Sequence, residues 1–201
     1  MEETIKNEVK KIMEIKGEGR GVIFRCIADY VREKKGEEGI KRLEKEMENL
    51  GYPLEFAKAK NLEWYPVGLR VLALISAKRA FNWENEEIRK MGDAAPKFSF
   101  LVKLVMNYFA SPRGVFDLAS KHWKKHYSIG NLESVEWHEK EKHKRCILRL
   151  KDFKVHPILC IFLRGYFERM AQLGGGKNVT CEETKCMHKG DLYHEFLFTW
   201  E

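Results

Sequence analysis

Residues 181–196 read CEETKCMHKGDLYHEF and hold two cysteines, two histidines and several carboxylates. Thiolate, imidazole and carboxylate are the donor groups of transition-metal sites, and zinc accepts all three. The same residues also fit a redox pair, or a polar hairpin with two incidental thiols. Read as two antiparallel strands, the segment puts Val179, Cys181 and Glu183 on one face of the first strand. His194, Phe196, Phe198 and Trp200 share a face of the second. That second set is apolar, so it points into a core and carries His194 to the rim of a buried surface. A buried carboxylate without a partner is costly, so Glu183 on the neighbouring strand wants a cation. Cys186 lies in the connection, and Cys160 precedes the pair on a helix, in a row with Leu163 and Phe167. Cys160, Glu183, Cys186 and His194 make a candidate tetrahedral set, with Cys181 and His188 near enough to substitute. A buried free cysteine is also a common core residue, and a lone inward histidine is commonly a hydrogen-bonded one.

The positioning elements follow from apolar periodicity. Val22, Ile23, Cys26, Ile27, Tyr30 and Val31 keep helical spacing, as do Ile40, Leu43, Met47 and Leu50, with Gly51 placed to end that helix. Asn82 is expected to cap a helix that stops near Gly92. Phe100, Leu101, Leu104, Val105, Tyr108 and Phe109 mark a further helix, and Val115, Leu118, Ala119, His122 and His126 the next. The period then changes to two. Val135 and Trp137, then Cys146, Leu148 and Leu150, alternate with polar or outward residues as a hairpin does. A helix starts at Pro157 and ends at the glycines 174–176, and strands near 178–183 and 192–200 close the chain. The expected class is α/β in the α+β sense. Helices over 1–128 pack on one face of an antiparallel sheet of about four strands over 132–201, in β-β-α-β-β order, and 1–201 form a single domain.

The 201 residues suffice for one sizeable core, and 44% apolar with 12% aromatic residues describes a globular chain. No apolar run reaches the length of a membrane span, and the charged N-terminus lacks the apolar stretch of a signal peptide. The expected address is cytoplasmic. Five cysteines, an odd number, argue there for metal binding over disulfides. The net charge of +7 is spread through alternating Lys and Glu, as in KRLEKEMENL, which describes a solvated surface better than a nucleic-acid footprint.

EETKCMHKGDLYHEFLFTW resembles the C-terminal signature of the 4-vinyl reductase-type small-molecule-binding domains. There a Glu, a Cys three residues on, a Gly, and a second Cys eight residues after the first precede a final apolar strand. Glu183, Cys186 and Gly190 match in order and spacing, and His194 stands at the last Cys position. HPILCIFLRGYFERM is similar to the preceding helix of the phenol-sensing domains of bacterial activators, with Cys160, Gly165 and Tyr166 in register. In that subfamily a Glu and three Cys hold a structural zinc, so the resemblance implies zinc on Cys160, Glu183, Cys186 and His194. The likeness is specific over about 155–200. More weakly, the N-terminal helices are similar to those of the wider superfamily, which includes haem-nitric-oxide sensors and Golgi transport tethering subunits.

The resemblance implies a sensor or ligand-binding module for a small hydrophobic or aromatic molecule. Phe100, Leu104, Tyr108, His122, Trp123 and Trp137 are its candidate pocket residues, although aromatics of this kind also simply fill cores. His122 falls on the apolar stripe of its helix and is a candidate to hydrogen-bond a ligand hydroxyl. The phenol sensors use a His and a Trp in this way, at positions that do not align residue by residue here. A homodimer is expected from the superfamily, and a separate output protein fits a chain of this length. A tetrapyrrole-related enzyme or a haem-type gas sensor is the alternative. Against an enzyme, GEGRG at 17–21 is no dinucleotide fingerprint, and a four-ligand zinc leaves no open position for chemistry. Against haem, YFASPR at 108–113 departs from the Tyr-x-Ser-x-Arg motif of the gas sensors, and sequence assigns no His to iron.

Overall fold

The computed structural model describes residues 2–99, 102, 111–140 and 143–201. Helix α1 (Glu2–Met13) leads through a short strand β1 (Glu18–Arg20) into the long helix α2 (Val22–Asn49), which bends at Gly36. A 3-10 turn and strand β2 (Trp64–Pro66) follow; β2 pairs antiparallel with β1. Helix α3 (Val67–Phe81) is apolar almost all round and buried, as expected of a helix inside a bundle. Then come α4 (Asn85–Phe98) and α5 (Pro112–His126). Strands β3 (Asn131–Lys140) and β4 (His143–Lys151) form the first hairpin. Helix α6 (Pro157–Leu173) crosses back, and β5 (Thr180–Lys185) and β6 (His194–Trp200) close the chain.

The α+β class and the β-β-α-β-β order are as the periodicity indicates. The four strands are antiparallel in the order β3-β4-β6-β5, so the last strand lies between β4 and β5. Cys146, Leu148, Phe196 and Phe198 form the inner face of the central pair and are fully or almost fully buried beneath the helices. Arg149, Glu195 and Lys185 form a charged cluster on the other face, so that face is the polar one.

Two local expectations are corrected. Asn82 does not start a helix; it ends α3 in the left-handed conformation at φ 52°, where asparagine is tolerated. Gly92 does not stop α4 either, which runs on to Phe98. Gly92 instead lies where α4 crosses α6. A β-carbon there would overlap the Phe162 carbonyl, and one at Gly165 would overlap the Arg89 carbonyl. Two glycines, one on each helix, let the backbones touch. The expected helix through Phe100 to Phe109 falls outside the described residues.

Replacing Gly165 with Ala drives backbone into backbone, which no rotamer change relieves. Urea unfolding should show a loss of about 1–3 kcal/mol, with the fold retained at low denaturant.

Candidate metal centre and internal cavity

Three elements bring Cys160, Glu183, Cys186 and His194 together. Cys160 sits one turn into α6, which starts with Pro157 at its first position and the His156 ring accepting the Ile158 N–H. Glu183 is on β5, and His194 begins β6. Cys186 opens a tight turn between them. That turn closes at Gly190, whose φ of 104° is a conformation that suits glycine. The Asp191 carboxylate accepts the Cys186 N–H at 2.8 Å and holds the turn in place.

The ligating atoms of the four residues all lie within 4.8 Å of one another. Cys160 Sγ is 4.0 Å from Cys186 Sγ and 3.6 Å from His194 Nδ1, and His194 Nδ1 is 2.9 Å from Glu183 Oε1. Zinc bonds of about 2.0–2.3 Å in a tetrahedron put ligand atoms roughly 3.3–3.8 Å apart, so the cluster has the size of such a site. The other ring nitrogen, Nε2, lies 3.3 Å from the Phe153 carbonyl. A proton placed on Nε2 donates to that carbonyl and leaves Nδ1 as the lone-pair donor, the usual arrangement behind a metal-bound histidine. Cys160, Cys186 and His194 are buried and Glu183 half-buried. Burial, with the Glu183 charge beside it, holds the Cys160 thiol far above its ordinary range. Burial also raises the Glu183 carboxyl, yet hydrogen bonds from His194, Cys186 and Cys160 outweigh it and leave that group below its ordinary value. Without a cation Cys160 is therefore a protonated thiol beside the Glu183 carboxylate.

The two substitutes fall elsewhere. Cys181 is buried opposite Phe198 in the sheet and is not part of the cluster. The His188 ring lies 5.6 Å from that of His194, with its Nε2 unpartnered among the described residues, beside the four rather than among them.

A cavity of about 80 Å³ lies between α2, α3, α5, α6 and the inner face of the sheet. That is space for several waters or one small organic molecule. Its described wall is mostly apolar: Ile23, Phe116, Leu132, Leu148, Phe162, Leu163, Phe167 and Met170 contribute, with Arg70, His122, His126, Tyr127 and Tyr166 among them. Of the residues expected in a pocket, His122 and Trp123 line it. Trp137 is not in the described wall; its ring packs 5.0 Å from Trp200 and 5.7 Å from Phe116, further along the sheet. Phe100, Leu104 and Tyr108 fall outside the described residues. The Trp123 indole N–H donates to the Ile129 carbonyl at 2.9 Å, so Trp123 presents its ring, stacked on Tyr127, rather than a donor.

Sequence reasoning passed over Arg70. Its one signal is a single charge within VGLRVLALISA, a stretch otherwise apolar on all sides. In the fold it is 3% exposed, with its guanidinium 4.5 Å from the Phe162 ring and 5.3 Å from the Tyr127 ring. Burial lowers its pKa to about 10. Arg70 Nε, His126 Nε2 and the Tyr127 hydroxyl have no hydrogen-bond partner among the described residues. Burial and the charge of Arg70 depress His126 to about 4, so its imidazole is neutral at physiological pH.

No family model matches the chain, and no curated protein does. Solved structures do. The structure of an H-NOX protein from S. oneidensis in the Fe(II)NO ligation state is 14% identical, with a TM-score of 0.68 over 90% of this chain and 99% of that one. An oxygen-binding H-NOX domain related to soluble guanylate cyclases gives 14% identity and a TM-score of 0.62, over 90% and 93% of the two chains. The unliganded Fe(II) H-NOX protein from K. algicida gives 13% and 0.63, over 90% and 96%. The chain has the H-NOX fold. At this identity the likeness shows the fold alone.

The depressed value of His126 sets a pH dependence. Above about 6.5 both folded and unfolded chains hold this ring neutral. As the pH falls from there towards 4, the unfolded chain takes the proton first, so the fold loses stability. Urea midpoints should fall between pH 7 and pH 5, and His126→Phe should lose measurably less over that interval than the parent. The ceiling on the His126 contribution is about 3 kcal/mol.

Proposed function

We propose that this chain is a binding module of sensor type, taking a small, mostly apolar molecule into the internal cavity and holding a structural zinc on Cys160, Glu183, Cys186 and His194. The observation that carries the reading is the cavity itself. It lies among packed helices and sheet, its described wall is largely apolar, and three buried polar atoms along it have no partner among the described residues. Native interiors leave few such atoms unsatisfied, and an apolar wall with a few convergent polar groups describes a ligand site. The zinc centre supports this role by position. Cys160 ties α6 to the sheet, while Phe162, Leu163, Tyr166, Phe167 and Met170 of the same helix face the cavity. With four protein ligands the metal has no open position, so its contribution is rigidity. No helix among the described residues is long and apolar enough to cross a membrane.

A haem-type gas sensor is the second reading, and the H-NOX fold favours it. One feature of the cavity agrees: His126 offers a neutral imidazole whose Nε2 is unpartnered among the described residues, a sound iron donor. The volume of about 80 Å³ is smaller than a haem macrocycle, so haem would require the described walls to part. A haem would supply an iron that binds a diatomic gas. Titrating the purified protein with hemin distinguishes the readings. A saturable absorption band lost in His126→Ala would favour haem, and no band would leave the small-molecule reading.

For zinc, elemental analysis of protein made with zinc available should give one equivalent per chain, and Cys186→Ser should lose it together with several degrees of melting temperature. Metal-free protein of unchanged stability would sink the assignment. For the ligand, Phe162→Ala enlarges the cavity. It should alter which hydrophobic compounds raise the melting temperature and leave zinc content unchanged. The module is proposed to act as a homodimer, for which light scattering should give twice the chain mass.

A further inference from the structure

The cavity holds a cation that nothing among the described residues neutralises. Arg70 makes no ion pair or hydrogen bond among the described residues; it lies against the faces of Phe162 and Tyr127, with Cys26 and Tyr166 near it. No Asp or Glu lines the described wall. Residues 100–110, FLVKLVMNYFA, contain none either, so that segment cannot supply the missing charge. Two further buried groups with unpartnered polar atoms, His126 and Tyr127, line the same cavity beside Arg70. Ring contacts recover part of the desolvation cost of a guanidinium but leave its Nε–H donor unused. An arginine kept charged in an apolar interior, with a buried donor unsatisfied, is poised for an anion.

We infer that the natural ligand is a small organic carboxylate with an apolar body, its carboxylate on Arg70 and its hydrocarbon part against Phe116, Leu148 and Met170. This rests on the cavity being a ligand site and goes beyond it by naming the charge of the occupant. The chemistry selects the class. A guanidinium fork matches the two oxygens of a carboxylate, which forms short charge-assisted bonds with it. His126 and the Tyr127 hydroxyl are placed to complete the oxygens' hydrogen bonding. The apolar remainder of the wall rejects a highly charged phosphate ester, and about 80 Å³ limits the body to a single ring or a short chain. A neutral phenol, by contrast, would leave Arg70 buried and unpaired.

The test compares acids with neutral analogues of the same shape on the purified full chain: benzoate and phenylacetate against benzyl alcohol, and hexanoate against hexanol. Binding is read by calorimetry and by melting temperature. The acids should bind about tenfold or more tightly than their neutral partners. Arg70→Met should abolish that preference, and without ligand its melting temperature should equal or exceed the parent's, because it removes an unpaired buried charge. Neutral analogues binding as well as the acids would overturn the carboxylate assignment and leave the cavity as a ligand site. Binding by neither series would overturn both. Should Arg70→Met fail to fold, Arg70 is structural and the inference falls, unless the wild-type preference for acids is present and Arg70→Lys weakens it.

Discussion

The position of helix α6 is the constraint on which the rest of the structure depends. One end carries Cys160 into a cluster with residues from both terminal strands. Its middle is pressed backbone to backbone against α4 at Gly92 and Gly165. Between these fixed points, its remaining face forms a wall of the cavity. A shift of α6 would alter the cluster geometry and the cavity shape together, since packed interiors do not deform gradually. The two candidate sites are therefore mechanically joined, although nothing passes chemically between them.

The electrostatics of the two sites are opposite. At the cluster, one carboxylate and two cysteine sulfurs converge where no described cation sits, and burial keeps Cys160 protonated. In the cavity a guanidinium and a neutral imidazole converge where no carboxylate sits. A folded chain tolerates such unbalanced interiors only at a cost, and functional sites are where that cost is usually found. The cluster asks for a cation and the cavity for an anion. These demands are separate, which fits a structural metal and an independent ligand better than a metal-centred reaction.

The H-NOX likeness bears on architecture more than on chemistry. At 13–14% identity the fold is shared over nine-tenths of the chain, while the groups that would hold a haem must be found again in this chain's own residues. Trp123 spends its indole N–H on the Ile129 carbonyl, so it cannot bind a hydroxyl in the manner expected of the phenol sensors. The cavity is thus not a copy of either relative's site as its residues stand.

Much of the fold was legible in the sequence, because periodicity is a local property. The alternation of β4, the Pro157 start of α6, the Gly51 end of α2 and the apolar face of β6 follow from neighbours a few residues apart. Cys160, Glu183 and His194 were legible too, since strand alternation and one helical row give the side of each, and Cys186 followed only from its place in the connection between the strands. What only the tertiary structure decided are properties of two segments meeting. Gly92 reads as a helix stop until α6 lies against it. Asn82 reads as a helix start until α3, with no amphipathic stripe of its own, proves to be the buried helix it terminates. Arg70 reads as one charge in an apolar run until α5 and α6 enclose it without an acid. Burial and the absence of a counter-charge depend on what approaches from elsewhere in the chain, so periodicity along one segment cannot report them.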